Sequence, residues 1–396
     1  MSRALFVLQG GGPTAVINAT LAGIAETAGT EFDQLCGFRH SFECRTENPV
    51  LDLTPILDFS ARSQLQLLAG TPGALLQSSR MRVEEKHLRS MLDILRKSGA
   101  SDLIGIGGNG TLSVLARLHE FAESEGYPLN IIGAPKTVDN DLNGVHAAPG
   151  YGSAARFVAM AVRDYDCDFK AMSSFDNVTI LETMGRNSGW LAAASILLKR
   201  DEDDSPHIVL LPEQPFDEGA FLKQVDECFS KYGRVFIVTN EMLSNTDGDV
   251  VGEAVQSGPR DGLGRVLYSL STGTGNYLAN LIWTRLKLQA RCLRPGNLGR
   301  AMSFCQSDPD RSLALAVGRE AVKVLLAGDR CRHMIAINEH LQLSAQSLNL
   351  AAGEKPLPGY FLHTDVPFQV SDTFKQFAAP LAGEISPLFN ARNLKA

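Results

Sequence analysis

The stretch "SDLIGIGGNGTLSVLARLHEFAES" (101–124) joins a short apolar run, a glycine-rich turn and a segment with the periodicity of a helix. The same order occurs earlier, where "RALFVLQGGG" (3–12) precedes "AVINATLAGIAETA" (15–28). Strand-like runs follow at 130–136, 177–185, 207–213 and 234–241, and "WLAAASILLKR" (190–200) is predicted to be a helix. This alternation predicts an α/β fold whose mainly parallel sheets are flanked by helices.

The chain has 396 residues, which exceeds the size of one small domain. We predict a first lobe over 1–150, a second lobe over 151–330, and a C-terminal segment over 331–396 that packs back on the first lobe. In parallel sheets ligands bind at the carboxyl ends of the strands. The glycine and polar stretches of this sequence fall at those ends, so we place the active site between the lobes.

Composition limits the compartment and the partners. A net charge of −7 argues against a general nucleic-acid binder, although a local cationic pocket can still hold an anionic substrate. Seven scattered cysteines without a CxxC pair are typical of thiols in a reducing cytoplasm. No apolar run approaches the roughly 18–20 residues that a membrane span needs. We therefore expect a soluble, cytoplasmic protein with no membrane or nucleic-acid partner.

Two glycine loops are candidate anion sites. "QGGGPTAV" (9–16) lies between a strand and a helix, where backbone N–H groups can approach an anion, although a simple tight turn explains it equally well. "GIGGNGTL" (105–112) contains GxGxxG, but a dinucleotide site needs an acid after the next strand to hold a ribose. The next strand leads instead to "PKTVDND" (135–141), which suits phosphate and metal.

"PKTVDND" contains the groups that a phosphoryl transfer to an alcohol requires. Asp139 and Asp141 are two positions apart, so at an extended strand end both carboxylates would point to one side. One carboxylate would accept the hydroxyl proton, the other would hold Mg²⁺, and Lys136 would contact phosphate oxygens. The alternative is an Asx-rich turn with a salt bridge. In "ETMGRNSGW" (182–190), Arg186 can bind phosphate or sugar hydroxyls, or can merely cap a surface loop.

In this order, "GGGPTAVIN", "GGNGT", "PKTVDND", "ETMGRNSGW" and "NEM" resemble the phosphofructokinase A family from about residue 3 to about residue 330. The resemblance implies a glycolytic kinase, that is, a transferase that moves the terminal phosphate of ATP, or of pyrophosphate, to the 1-hydroxyl of fructose 6-phosphate or a related sugar. It also implies Mg²⁺ as cofactor and a homodimer or homotetramer, because the family builds acceptor sites across a subunit boundary.

The same resemblance assigns roles to individual residues. Asp139 would be the base, and Arg80 and Thr137 would complete the catalytic set. The metal ligands would be Asp141 and Asn109. The donor would be bound by Gly11, Gly12, Arg80, Gly108, Asn109, Gly110, Thr111 and Lys136. The acceptor would be bound by Thr137, Asp139, Met184, Gly185, Arg186, Glu241, Arg291 and Arg300, of which the last two would hold the sugar 6-phosphate.

Departures from the family pattern leave the substrates open. Asn109 replaces the usual metal-binding Asp, and Asn177 and Asn297 replace customary contacts to the sugar 6-phosphate, so a different sugar or alcohol acceptor remains an alternative. Gly110 leaves space for a nucleotide α-phosphate and favours ATP, whereas Lys136 is typical of pyrophosphate users. A catalytically weak, ligand-sensing homologue is the third alternative, against which the retention of Asp139 argues.

Overall fold

The computed structural model describes residues 3–29, 31–44, 47–57, 62–252, 273–328, 331–363 and 366–389. The strands in this part of the chain are β1 (Ala4–Gln9), β2 (Gln34–Phe38), β3 (Val50–Asp52), β4 (Asp102–Gly107), β5 (Asn130–Pro135), β6 (Val178–Thr183), β7 (Ile208–Leu210), β8 (Val235–Asn240), β9 (Ala290–Leu293), β10 (Arg332–Ile337) and β11 (Leu343–Ser347). The helices are α1 (Ile17–Ala28), α2 (Arg62–Gly70), α3 (Glu85–Lys97), α4 (Asn109–Ser124), α5 (Tyr151–Ala171), α6 (Trp190–Ala193), α7 (Glu218–Tyr232), α8 (Thr274–Leu286), α9 (Leu298–Ala301), α10 (Asp308–Ala327) and α11 (Thr373–Ala382).

The described strands form two sheets. The larger has the order β11-β10-β5-β4-β1-β2-β3 and the smaller the order β7-β8-β6-β9. All pairs are parallel except β2–β3 and β10–β11, which lie at the two edges of the larger sheet. The predicted α/β fold with mainly parallel sheets is therefore confirmed, and the carboxyl ends of its strands are where a site is expected.

The end of the chain completes the larger sheet. Strand β10 pairs in parallel with β5, and β11 then returns antiparallel to β10. Residues beyond 331 therefore lie directly beside the strand that leads into "PKTVDND". The division of the chain into 1–150, 151–330 and 331–396 stays a prediction.

Helices α1 and α10 pack in unusually close contact because each carries a glycine at the crossing. A Cβ atom on Gly23 would collide with the carbonyl oxygen of Leu315, and one on Gly318 with that of Thr20. The two backbones approach closely only without those side chains. This contact fixes α1, and with it the glycine loop that precedes it, against the body of the protein.

The helix expected over 190–200 is much shorter than predicted. Helix α6 ends at Ala193, and a single 3-10 turn (Ala194–Ile196) follows it. All residues from Trp190 to Ile196 are buried, so the run has no polar face to lie along a surface. A short buried helix and a turn therefore stand where a longer helix was predicted. None of the described helices is both long and apolar enough to cross a membrane.

Candidate active site

Lys136 joins the glycine loop to the end of β5. Its side chain is buried, and its Nζ atom donates hydrogen bonds to the carbonyl oxygens of Gly10 (2.9 Å) and Gly12 (2.8 Å). Burial, followed by the nearby charges of Arg300 and Arg80, lowers the pKa of Lys136 to about 7, against the opposite pull of nearby carboxylates. Three basic side chains, Lys136, Arg80 and Arg300, therefore lie at the glycine loop, where an anion site needs them.

The loop 71–80 is docked onto the same glycine loop by polar contacts. The backbone N–H of Leu76 donates to Oε1 of the buried Gln9 (2.9 Å), and Oγ of Ser78 donates to the carbonyl oxygen of Gly11 (2.5 Å). These contacts hold the loop where it ends, at Arg80. No role was predicted from the sequence for the side chain of Gln9 or of Ser78.

Arg80 and Arg300 converge at Gly12. A Cβ atom on Gly12 would collide with the guanidinium of Arg300 and would lie 3.9 Å from Nη2 of Arg80. Burial and the charge of Arg80 lower the pKa of Arg300, while Asp139 and Glu241 act in the opposite direction. Arg300 therefore lies at the donor loop as well as beside residues predicted to bind the acceptor.

The amino end of α4 supplies the second anion-binding element. The helix begins at Asn109, and Leu112 is the first residue whose N–H bonds back to Gly108, so the three preceding N–H groups lack helical acceptors. The side chain of Thr111 packs against Gly10 and Gly107, since a Cβ atom on either glycine would collide with it. A Cβ atom on Gly110 would meet no heavy atom within 4 Å.

The loop that carries the two aspartates is not extended, which corrects the geometry expected from their spacing. Strand β5 ends at Pro135, and Asn140 has φ +51°. Asn140 is held by its own side chain, which donates to the carbonyl oxygen of His146 (3.2 Å) and accepts from the N–H of Ala148 (2.9 Å). Asn tolerates this left-handed conformation better than most residues. The two carboxylates are therefore brought together by a turn and not by strand alternation.

Three buried oxygen atoms in this region have no hydrogen-bond partner among the described residues: Oδ1 of Asn109, Asp139 and Asp141. Asn109 is tied to the aspartate loop, because its Nδ2 donates to Oδ2 of Asp141 (3.1 Å). Unsatisfied buried oxygens are costly, and a hard cation would satisfy them. No group of three His, Cys, Asp or Glu residues suited to a metal occurs in the described ranges, so any metal here would complete its shell with water and phosphate.

Asp139 has the electrostatics of a proton acceptor. Burial raises the pKa of Asp139 to about 7, and the charges of Asp141 and Glu241 act in the same direction, against Arg186 and Lys136. Burial likewise raises the pKa of Asp141. A carboxylate whose pKa is near neutrality can both accept and release a proton under working conditions. Thr137 shapes this loop, since its Oγ1 accepts from the N–H of Asp139 (3.1 Å).

The loop after β6 brings "MGRNSGW" against the aspartate loop. Oγ of Ser188 donates to the carbonyl oxygen of Asp139 (3.1 Å), and the N–H of Arg186 donates to Oε1 of Glu241 (3.2 Å). Gly185 and Arg186 both have positive φ, at +135° and +53°. A left-handed Arg costs on the order of 1 kcal/mol and is typical of functional loops. Met184, Arg186 and Glu241 thus lie on the side predicted to bind the acceptor.

Arg291 is the predicted residue that the chain does not bring into this cluster. It pairs with Thr179 near the start of β6, whereas Met184 follows the other end of that strand. Its guanidinium forms an ion pair with Asp176 (2.6 Å). The neighbouring Asn177 accepts a backbone hydrogen bond from Gln289 (3.2 Å).

Known proteins resemble the chain along most of its length. A family model described as phosphofructokinase matches residues 4–325. Pyrophosphate–fructose 6-phosphate 1-phosphotransferase of Xanthomonas campestris pv. campestris (strain B100) is 31% identical, over 97% of this chain and 92% of that protein. Sulfofructose kinase of Alkalicoccus urumqiensis is 31% identical, over 89% and 90%. The crystal structure of the pyrophosphate-dependent phosphofructokinase of Nitrosospira multiformis has a TM-score of 0.81 and 28% identity, with 98% of this chain and 94% of that chain covered.

Proposed function

Because the chain belongs to the phosphofructokinase family, we propose that it transfers the terminal phosphate of ATP to the 1-hydroxyl group of fructose 6-phosphate. Its class as a phosphofructokinase-type phosphotransferase follows from the family. The observation that carries the proposed chemistry is that Lys136, Arg80 and Arg300 converge on Gly12. The charge of Asp139, whose Oδ1 atom is buried, acts on both Lys136 and Arg300.

In the proposed reaction, Asp139 accepts the proton of the sugar 1-hydroxyl as that oxygen attacks the terminal phosphorus. The new O–P bond forms while the bond between the phosphorus and the leaving phosphate oxygen breaks, so charge moves onto the leaving group. Arg80 and Arg300, both beside Gly12, stabilise the phosphoryl group in transit. Arg186 and Glu241 orient the sugar on the other side of the transferring phosphoryl group from the glycine loop.

We further propose Mg²⁺ as the cofactor, held by Asp141 and Asn109. Their unpartnered Oδ1 atoms are of the type that Mg²⁺ prefers. When bound, the ion supplies positive charge to the donor phosphates. The amide of Asn109 contributes no full charge, so Asp141 is the principal ligand in this assignment.

Gly110 distinguishes the donors, and Gly110→Asp is expected to lower kcat/KM for ATP about 100-fold, because bulk and negative charge would occupy the space of the α-phosphate. The open space around the Gly110 Cβ position lets the variant fold. Steady-state kinetics with ATP and with pyrophosphate provide the measurement, and Gly110→Asn is the control that adds bulk without charge. Unchanged ATP kinetics in the Asp variant would refute the donor argument.

Pyrophosphate is the second candidate donor. It is favoured by the cation at Lys136 and by the names of two of the similar proteins. Parallel assays of the purified protein with each donor separate the two candidates directly.

The second candidate acceptor is a sugar with a less charged distal group, such as a sulfonate. Asn177 stands where the family commonly has an Arg, and Asn297 stands where it commonly has a His or Tyr. The charge of Arg291 is compensated by Asp176. A dianionic phosphate needs more positive charge than a monoanionic sulfonate does. One relative is named as a sulfofructose kinase. A panel of fructose 6-phosphate, its sulfonate analogue and free sugars tests this, and absence of turnover with every pair of donor and acceptor would overturn the proposed function.

The pH dependence of the proposed reaction follows from the raised pKa of Asp139 and the lowered pKa of Lys136. We expect kcat/KM to rise as pH increases through about 7, because Asp139 must lose its proton to act as base. It should fall again at higher pH as Lys136, whose pKa is also about 7, loses its charge. A bound phosphate stabilises the charged form of Lys136. The decline in kcat at alkaline pH should therefore occur at a higher pH than the decline in kcat/KM. Initial rates from pH 5.5 to 9 would show this, and a flat profile across neutrality would contradict both assignments.

We also propose a cytoplasmic homodimer or homotetramer. None of the seven cysteines forms a disulfide, which agrees with a reducing compartment. The family resemblance implies acceptor sites built across a subunit boundary, and the position of Arg291 away from Met184 in its own chain agrees with that arrangement. Light scattering of the purified protein measures the subunit number.

A further inference from the structure

Residues 352–357, called here the C-terminal strap, run along the aspartate loop and lie beyond the region matched by the family model. The backbone N–H of Lys355 donates to the carbonyl oxygen of Asp141 (2.7 Å). Leu142 and Glu354 form an antiparallel bridge at the next position. The strap therefore contacts the loop at the residue that we assign to the metal.

The Lys355 ammonium group reaches the far side of the same loop. Its Nζ atom donates to the carbonyl oxygens of Val145 (2.5 Å) and His146 (3.1 Å) and lies 4.8 Å from the ring centroid of Trp190. Burial lowers the pKa of Lys355 to about 7, against the charge of Asp141. In its charged form the side chain makes hydrogen bonds about twice as strong as neutral ones, and the indole face adds cation–π attraction. Lys355 thus holds both ends of the loop 141–146, Asp141 through its backbone N–H and Val145 and His146 through its side chain.

The carbonyl oxygen of His146 is shared between Lys355 and Asn140. Asn140 donates its Nδ2 to this oxygen (3.2 Å) and lies between Asp139 and Asp141 in the left-handed conformation. The lysine therefore supports the acceptor of the hydrogen bond that maintains this turn. Through that oxygen it acts on the orientation of both carboxylates without being placed to touch a substrate.

The strap also contacts the loop after β6. Nδ2 of Asn187 donates to Oε2 of Glu354 (3.0 Å), and Nε1 of Trp190 donates to the carbonyl oxygen of Lys355 (3.4 Å). Both partners belong to "MGRNSGW" (184–190), which carries the predicted acceptor residues. Thus the strap connects the aspartate loop of one sheet to the acceptor loop of the other.

Glu213 makes a second connection between the strap and the acceptor loop. One carboxylate oxygen, Oε1, accepts the backbone N–H groups of Gly189 (2.9 Å) and Leu357 (2.7 Å). These bonds fasten the end of the strap to the end of the acceptor loop. The three segments are therefore joined by hydrogen bonds on both sides of Lys355.

We propose that Lys355 is a positioning residue for phosphoryl transfer, which it serves by fixing the aspartate loop relative to the acceptor loop. The inference rests on the proposed function. Transfer depends on alignment of the base, the hydroxyl and the phosphorus, and a displacement of about 1 Å can reduce the rate about 100-fold. Loss of the ammonium group should therefore affect the reaction step more than the binding of either substrate.

The test compares Lys355→Met with Lys199→Met in the full chain. Lys199 is a matched control because its ammonium also donates to loop carbonyl oxygens, those of Glu202, Asp204 and Pro206, in another part of the molecule. We expect Lys355→Met to lower kcat about 10- to 100-fold, with KM for donor and acceptor changed less than about 3-fold. Lys199→Met should lower the Tm and leave kcat unchanged.

Hydrogen exchange of a peptide covering 137–148 supplies a readout that does not depend on activity. Exchange should be faster in Lys355→Met and unaltered in Lys199→Met. If the Met variant does not fold, Lys355→Gln, which keeps an uncharged N–H donor group on a shorter side chain, replaces it and should show the same split between kcat and KM. A Lys355 variant with wild-type kcat and wild-type exchange would overturn the inference. A wild-type protein that turns over no pair of donor and acceptor would instead reject the proposed function.

Discussion

Replacing Asp139 with Asn is expected to reduce kcat about 1,000-fold, because general-base catalysis contributes about 100- to 10,000-fold and the amide cannot accept the hydroxyl proton. Binding of the donor should persist, since Lys136 and the two arginines remain beside the glycine loop. Steady-state rates and a donor titration by calorimetry measure the two effects. A variant with the wild-type rate would show that Asp139 is not the base.

The same substitution should stabilise the protein above pH 7. The folded pKa of Asp139 is raised, so its contribution to stability is full below the unfolded pKa of about 4 and is lost as pH rises through about 7. An Asn carries no charge to desolvate, and the gain at pH 8 should be on the order of 2 kcal/mol. Thermal melts at pH 5 and pH 8 measure it.

Asp310 offers a control for this stability effect. It is also buried, and burial raises its pKa, but its carboxylate accepts hydrogen bonds from the backbone N–H groups of Gly150 and Ser153 and from the hydroxyl of Ser153. Asp310→Asn should therefore lower the Tm. A decrease for Asp139→Asn as well would contradict the idea that the Asp139 charge is held at a cost in stability.

Replacing Arg300 with Met is expected to lower kcat/KM about 1,000-fold, as for other arginines that neutralise a phosphoryl group in transit. Its guanidinium contacts the Gly12 position beside Arg80, and the charge of Asp139 acts on it. If it acts on the transferring group, the loss appears in kcat. If it serves only the sugar 6-phosphate, the loss appears in the KM of the acceptor.

Two further variants serve as comparisons for Arg300→Met. Arg300→Lys keeps the charge but loses the planar fork, so its rate should fall between those of the wild type and Arg300→Met. Arg285→Met makes the same change at an exposed arginine paired with Glu218 and should leave the rate unaltered. A kcat/KM within about tenfold of wild type for Arg300→Met would exclude a role in charge stabilisation.

Much of the site was predictable because parallel strands end at one edge of a sheet. This rule, applied to the strands of the larger sheet, places the glycine loop after β1, Asn109 after β4 and Lys136 after β5 at one edge. Arg186 follows β6 of the smaller sheet, so the rule alone does not bring it beside Asp139. The local geometry of the aspartate loop was harder to predict from the sequence. The spacing of Asp139 and Asp141 suggested strand alternation. The turn at Asn140 instead depends on hydrogen bonds to His146 and Ala148 that no local sequence pattern predicts.

Long-range contacts were the part that sequence reasoning missed. Lys355 lies more than 200 positions from the loop that it supports, in "GEKPLPG", which resembles any polar turn. Gln9 looked like the last residue of a strand, yet its side chain anchors Leu76. Such contacts depend on tertiary packing between segments that the sequence separates widely, and propensity or periodicity carries no information about them.

The position of β10 has a consequence for the order in which the protein is built. Strand β5 obtains its second hydrogen-bonded neighbour only from residues 332–337, so on the ribosome it remains an open edge until those residues have been translated. Open strand edges are templates for unwanted pairing, and distant pairings slow the search for the native state. The sheet edge beside the aspartate loop is therefore completed only after residue 337 has been synthesised.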